Sequence, residues 1–320
     1  MIRIGILGAG TMGAVHASAY AGMPDIEVVG VFARTLDRAR RVATICKAQP
    51  VDDARALIER ADIDAIDVCL PSALHGEVVV SALNHGKHVF CETPMALEMT
   101  KAQEMRAAAR KAKRLLQVGL LMRSVSAYEH VKAATMSGEH GRLIKLSTWR
   151  LGSYLHPDAP DRKAHYSDPA IELMTFDFDV LHWLMGNPAR LAATGGGDVT
   201  AILDYADGRH ATVTASGLMP PGSPFTVGFR ALFERAVFTL QTVFVGTPPD
   251  STFTVATADT PPTEVPIAGR NPYEVELRRF VDCIAGNADP ALLDVDRAIE
   301  ALTLSLATQR ALAEGRPVTL

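Results

Sequence analysis

Cysteine, tryptophan and long apolar runs are all scarce in this chain of 320 residues. The four cysteines, Cys46, Cys69, Cys91 and Cys283, lie far apart, with no Cys-x-x-Cys pair and no histidine at metal-ligand spacing. That excludes a disulfide framework and a zinc-ribbon-like domain, and leaves reduced thiols packed in a core. No metal is expected. No apolar run is long enough to cross a bilayer, and Met1 leads at once into Ile2-Arg3-Ile4-Gly5-Ile6-Leu7, with no room for a signal peptide. The expected compartment is the cytoplasm. Charge of one sign is lacking too. A formal net charge of -4, with acids and bases mixed along the chain, offers no basic stripe for nucleic acid and no polybasic membrane anchor. Internal repeats and low-complexity segments are absent.

What is present is a change of texture. The length exceeds what one core usually serves, so two domains are expected. Up to residue 122, short apolar runs alternate with helical stretches, the pattern of a parallel sheet covered on both faces. Strands are predicted at Ile2-Leu7, Ile26-Phe32, Ala65-Leu70, His88-Cys91 and Leu115-Val118. Helices are predicted at Thr11-Ala21, Leu36-Cys46 and Thr100-Lys113, the first ended by Gly22 and Pro24. From residue 123 to 320 one helix near Ser126-Met136 leads into β-rich segments. Val199-Tyr205 and His210-Ser216 flank Asp207-Gly208, a hairpin signal. Arg142-Arg150 and Phe225-Leu240 add strands, and Tyr273-Ala285 and Asp294-Glu314 close the chain as helices. The stretch 246–266, rich in proline and threonine, reads as exposed loops or hairpin turns. The expected fold class is α/β: an N-terminal Rossmann doubly wound parallel sheet (1–122), then an α+β domain with an open, mainly antiparallel sheet for substrate and oligomer contacts (123–320).

Gly8-Ala9-Gly10-Thr11-Met12-Gly13 follows the first strand and opens the first helix, the context in which G-x-G-x-x-G has a physical task. Gly8 permits the tight turn, Gly10 the approach of backbone to a pyrophosphate, and Gly13 the packing of helix on strand. An acid about 20 residues further on would bind the adenosine ribose of NAD. Phe32-Ala33-Arg34-Thr35 stands there instead. Arg34 can pair with a 2′-phosphate, Thr35 can donate to it and Arg38 can add charge, so NADP(H) is favoured over NAD(H).

Four segments together resemble the glucose-fructose oxidoreductase, inositol dehydrogenase and MocA (Gfo/Idh/MocA) family. They are the glycine loop, Leu70-Pro71-Ser72-Ala73-Leu74-His75, Gly86-Lys87-His88-Val89-Phe90-Cys91-Glu92-Thr93-Pro94, and Asp177-Phe178-Asp179-Val180-Leu181-His182-Trp183-Leu184-Met185-Gly186. The resemblance covers nearly the whole chain. It implies a nicotinamide-dependent oxidoreductase acting on a hydroxyl or carbonyl carbon of a sugar, polyol or other small carbonyl compound, assembled as a homodimer or homotetramer. It brings Leu70, Pro71, Ser72, His75, Glu92, Thr93, Pro94 and Arg123 to the cofactor, with Glu92 near the nicotinamide ribose and the Thr93-Pro94 bond cis.

Two departures stand out from that pattern. The family's motif lysine, a proton-transfer group, is Thr93 here. The family's aspartate and the histidine four residues later fall on Glu172 and Phe176, so a carboxylate is kept and an imidazole is lost. A threonine hydroxyl is too weak an acid to replace the ammonium. Replacement groups are sought in the loop 151–170, among Tyr154, His156, Asp161, Arg162, Lys163, His165 and Tyr166, with His165 and Tyr166 foremost because imidazole titrates near neutrality and tyrosine can donate. Thr93, Glu172, His165 and Tyr166 are therefore the expected catalytic residues, with Thr93, His165 or Tyr166 polarising a carbonyl. Alternatives are a redox-neutral nicotinamide-dependent lyase or glycosidase and a non-catalytic dinucleotide-binding regulator. His182 is expected on the outer side of its helix.

Overall fold

The chain was analysed as a computed structural model. The structure describes residues 1–320 apart from 154, 157–158, 164–167 and 247, with backbone alone for 155–156 and 159–163. Two compact units result. The first comprises Met1–Ser124 and Arg270–Ile299, the second Val125–Gly269 and Glu300–Leu320. The expected split at 122/123 thus lies two residues later, and the chain re-enters the first unit near its end. The reason is packing: Leu277, Phe280 and Val281 share one buried cluster with Ile4, Val31 and Phe90 of the first sheet.

The first unit contains, in order, β1 (Ile2–Leu7), α1 (Thr11–Ala21), β2 (Ile26–Phe32), α2 (Leu36–Cys46), β3 (Gln49–Val51), α3 (Ala54–Ile58), β4 (Ala65–Val68), α4 (His75–Asn84), β5 (His88–Cys91), α5 (Met99–Ala112) and β6 (Leu116–Val118). Its six strands run in the order β3-β2-β1-β4-β5-β6, all parallel. Strands buried on both faces explain the near-continuous apolar runs. Strand order reverses between β1 and β4, which opens a crevice at the carboxyl ends where a ligand is bound in such sheets.

The chain continues through α6 (Ser126–Ser137), β7 (Leu143–Leu151), β8 (Leu155–His156), β9 (Ala159–Lys163), α7 (Pro169–Glu172), α8 (Met174–Met185), β10 (Arg190–Gly195), β11 (Asp198–Asp204), β12 (His210–Ser216), β13 (Thr226–Phe233), β14 (Ala236–Val243), β15 (Asp250–Thr257) and β16 (Thr263–Glu264). Then follow α9 (Pro272–Ile284), α10 (Val295–Glu314) and β17 (Val318–Thr319). Nine strands form one sheet in the order β16-β15-β14-β13-β7-β12-β11-β10-β17, and β8 pairs with β9. The β7–β12 pair is parallel and the other pairs of the large sheet are antiparallel. The 246–266 stretch is not all loop: β15 and β16 lie in it, because alternating Phe253 packs inward while its neighbours face out. The segment 225–240 resolves into the hairpin β13–β14. In one register, Ile202, Thr212, Ser147 and Arg230 share a partly exposed face of the large sheet, while Leu203, Ala211, Leu146 and Ala231 line the buried one. Among the described residues no helix is long and apolar enough to cross a membrane.

Candidate functional site

The glycine loop sits at the crevice. Gly8 has φ +123°, and a Cβ on it would stand 2.3 Å from the carbonyl oxygen of Cys69. A Cβ on Gly13 would stand 1.9 Å from Gly8 O. Both glycines are demanded by the protein's own backbone. Gly10 is different. It is exposed, and a Cβ there would meet nothing within 4 Å. It is also the N-cap of α1, with no side chain capping the helix. The first-turn N–H groups and the positive end of the helix dipole are thus left to an anion approaching past Gly10, Thr11 and Met12. These features fit the pyrophosphate of a dinucleotide.

Beyond β2, Ala33 is buried at the position of the ribose-binding acid, while Arg34, Thr35 and Arg38 are exposed. Neither guanidinium has a hydrogen-bond or ion-pair partner among the described residues. At the other end of the crevice, β5 leads into Glu92, and Thr93-Pro94 is cis. The Thr93 N–H donates to Glu92 Oε2 at 3.0 Å, and the Thr93 hydroxyl donates to Gly119 O at 2.8 Å. That changes what Thr93 can do. With its single proton committed, the hydroxyl cannot polarise a carbonyl, but its lone pairs can accept from a hydroxyl.

His75 is buried, with Nε2 2.7 Å from Leu70 O and Nδ1 3.0 Å from Pro94 O. Burial lowers its pKa below the usual imidazole value despite these carbonyls, so the ring is neutral and has one N–H, assigned to the shorter contact. His75 therefore hydrogen-bonds the Leu70-Pro71-Ser72 turn and packs against Pro94, with both ring nitrogens facing protein carbonyls. Arg123, 4% exposed, donates from Nη1 to Leu292 O at 3.1 Å inside the first unit.

Behind Glu92 lies a buried charge cluster. His16 Nδ1 is 2.9 Å from Asp67 Oδ2, and His16 Nε2 is 2.8 Å from Glu92 Oε1, the second an ion-pair contact whose angle falls outside hydrogen-bond geometry. Burial opposes charge on the ring, but the Asp67 carboxylate and then Cys69 hold its pKa well above the usual value. Cys69 Sγ lies 3.3 Å from Nδ1, and burial pushes that thiol up, so it is inert as a nucleophile.

In the second unit Asp168 caps α7 by accepting from Ala170 N–H at 3.1 Å, which places Glu172 in the helix's first turn. Burial, then the charge of Asp168, raises the Glu172 pKa to about 7. Phe176, one turn on, carries the Arg150 guanidinium 4.8 Å from its ring centroid. Arg150 Nε donates to Asp177 Oδ2 at 2.7 Å, with both side chains nearly inaccessible. His182 is not on an outer face: its Nδ1 lies 2.9 Å from Glu300 Oε2, with the His182 side chain 14% exposed. Tyr154, His165 and Tyr166 lie outside the described residues, as do the side chains of His156, Asp161, Arg162 and Lys163.

Residues 2–120 match the profile of the Gfo/Idh/MocA group, described as an oxidoreductase family with an NAD-binding Rossmann fold. The match covers the first sheet and its helices, and the relatives that follow support a Gfo/Idh/MocA family oxidoreductase. The scyllo-inositol 2-dehydrogenase (NAD(+)) of Bacillus subtilis (strain 168) is 26% identical over 346 aligned positions, covering 100% of this chain and 96% of that protein. The 1,5-anhydro-D-fructose reductase of Ensifer adhaerens is 27% identical, covering 99% and 98%. Levoglucosan dehydrogenase in complex with NADH superposes with a TM-score of 0.85 at 19% identity, covering 99% of this chain and 98% of that one, which shows a shared fold.

Sequence reasoning assigned no role to His16, Asp67, Glu276 or Arg150, and Asp177 entered only as part of a matched segment. A signal existed for some. Asp67 breaks an apolar strand, Ala65–Val68, and Asp177 and Asp179 break an apolar helix. A charge at a core position of a periodic pattern needs a partner, which is a reason to look for one.

Proposed function

We propose that this protein exchanges hydride between NADP(H), in preference to NAD(H), and a CH–OH or C=O carbon of a sugar, polyol or related small carbonyl compound. The observation that carries the cofactor reading is the uncapped N-terminus of α1 with open space at Gly10. Unpaired Arg34 and buried Ala33 support the 2′-phosphate preference. Relatives named for inositol and anhydrofructose support the substrate class.

Gly8, Gly10, Thr11, Met12 and Gly13 hold the pyrophosphate, and Arg34 with Thr35 and Arg38 take the adenosine end. Leu70, Pro71, Ser72, Glu92 and Pro94 form the other rim, braced from behind by His75 and Arg123. Bound there, the dinucleotide supplies or accepts the hydride. Thr93 orients a substrate hydroxyl by accepting from it. Glu172 moves the proton: a pKa near neutrality lets one carboxyl serve as base in oxidation and acid in reduction. His165 and Tyr166, a few residues earlier in the sequence, are further proton-transfer candidates. The partly exposed face carrying Ile202 and Arg230 is the surface for a second copy in a homodimer or homotetramer.

The test is a panel of cyclic polyols, aldoses and ketoses incubated with the purified protein and NADP+ or NADPH, following nicotinamide absorbance. Turnover with a stoichiometric absorbance change is expected. Product without net absorbance change assigns a redox-neutral reaction instead, and cofactor-induced thermal stabilisation with no product assigns a binding protein.

A further inference from the structure

Behind the cofactor rim, the proposed reaction gives no task to the buried charges that surround Glu92. His16 on α1, Asp67 on β4, Glu92 after β5 and Glu276 on α9 converge at 0%, 0%, 9% and 1% exposure. Facing the His16 ring are Asp67 and Cys69 from the β4 strand and turn, Glu92 from the β5 end and Glu276 from α9. The Tyr273 ring adds to the wall, and Tyr20 of α1 lies near Asp67. Three carboxyl groups thus share one imidazole. Asp67 and Glu92 flank its two nitrogens. Glu276 is left over. Both its oxygens lack a hydrogen-bond partner among the described residues, and a Glu276 oxygen, a ring nitrogen of His16 and a Glu92 oxygen all lie within 4.8 Å of one another.

A metal ion is a poor occupant. Ligand atoms sharing an ion at about 2.0–2.2 Å in a tetrahedral site stand further apart than the 2.8 Å between His16 and Glu92. A proton is a better one. Burial, then the charge of Glu92, pushes the Glu276 carboxyl well above its usual range, so it is the member that holds a proton.

The topology gives this proton a ligand to sense. In the order β3-β2-β1-β4-β5-β6, a dinucleotide held by the glycine loop at β1 and α1 with its adenosine end toward Arg34 would have its nicotinamide end beyond β4 and β5. Glu92 follows β5, with its side chain 12% exposed, so it is the member of the cluster most open to solvent. We propose that Glu276, with His16 and Glu92, is a proton reservoir that reads the charge of the nicotinamide ring: oxidised cofactor binds with release of the Glu276 proton to water, and reduced cofactor binds without it. This rests on the cofactor reading above. The oxidised ring is a cation, better held beside one more carboxylate, whereas the reduced ring is neutral. When a CH–OH carbon is oxidised, hydride neutralises the ring and a proton leaves the substrate; the reservoir then takes one proton back from solvent. The charge around the ring stays balanced, and the net reaction still releases one proton. His16 and Glu276 are positioning residues here, touching neither substrate nor cofactor.

The experiment is isothermal titration of the intact protein with NADP+ and with NADPH, and with NAD+ and NADH, each in buffers of different ionisation enthalpy, to count the protons exchanged. For the wild type, binding of the oxidised form releases about 0.5–1 proton more than binding of the reduced form. The ratio Kd(NADP+)/Kd(NADPH) then falls by up to about tenfold per pH unit as pH rises through the titration. In Glu276→Gln both effects vanish while cofactor binding persists. Equal proton counts in the wild type overturn the reservoir and leave the cofactor reading intact, as does a difference that survives in folded E276Q. If E276Q does not fold, the wild-type counts decide. Failure to bind any of the four dinucleotides overturns the cofactor reading and the reservoir together.

Discussion

Glu92 and Glu172, one in each unit, are the same chemical group in opposite surroundings. Glu92 has partners for a negative charge: the His16 ring at 2.8 Å and the Thr93 N–H at 3.0 Å. Glu172 has no such partner among the described residues, lies near Asp168 and is raised by burial to about 7. A carboxylate supplied with a cation and an amide is an anchor, whereas one deprived of both exchanges protons near neutrality. Of these two carboxyls, Glu92 is set to hold a charge in place and Glu172 is poised to exchange a proton. On the function proposed above, Thr93 in the lysine position and Phe176 in the histidine position would leave Glu172 with more of the proton chemistry than the family pattern gives it.

The sharpest way to break that comparison is Glu172→Gln. Turnover is expected to fall about 10³-fold, in the range of a lost general acid–base group. The pH dependence gives the sign. Oxidation needs the carboxylate, so wild-type oxidation rises as pH passes through about 7, and reduction, which needs the acid, falls there. E172Q should flatten both profiles. Wild-type rates with an unchanged profile in E172Q would move proton transfer elsewhere, with His165 and Tyr166 next in line.

A smaller effect tests whether the first unit's contribution is made by backbone. Gly8→Ala places a Cβ 2.3 Å from Cys69 O at φ +123°. Unfolding in urea should show a loss of about 3 kcal/mol, the size expected for a strained backbone position with a steric clash. An undiminished midpoint would mean that the turn can relax, and that its glycine is kept for the ligand alone.

The smallest effect concerns which cofactor the first unit anchors. Arg34→Ala should weaken NADPH binding about tenfold, roughly 1.4 kcal/mol, with NADH binding nearly unchanged, measured by fluorescence titration. An equal loss for both cofactors would put Arg34 over the adenine ring and remove the basis for an NADP(H) preference.

Much of the first unit was legible in advance because its signals are local. β1, β2, β5, α1 and α2 fall on the predicted residues, since each apolar run is bounded by glycine, proline or a polar turn. The short β3 and α3 escaped notice, being too brief for periodicity to declare. In the second unit the Asp207-Gly208 hairpin was plain, with Gly208 at φ +85°, whereas β15 and β16 hid in a stretch whose prolines and threonines read as loop. The return of α9 to the first unit depends on which core its apolar stripe matches, and amphipathicity alone does not say that.

The glycine loop, the missing acid at Ala33, and the reading of Thr93 and Phe176 at the family's lysine and histidine positions all came from residue identity, because each depends on what one side chain can or cannot do. Tertiary structure decided the tasks that depend on neighbours. It committed the Thr93 proton to Gly119, turned His75 into a brace, raised Glu172 towards neutrality and gathered His16, Asp67, Glu92 and Glu276 from four separate elements into one dry cluster. A pKa or a hydrogen bond belongs to a surrounding, and a surrounding is composed of residues far apart in sequence.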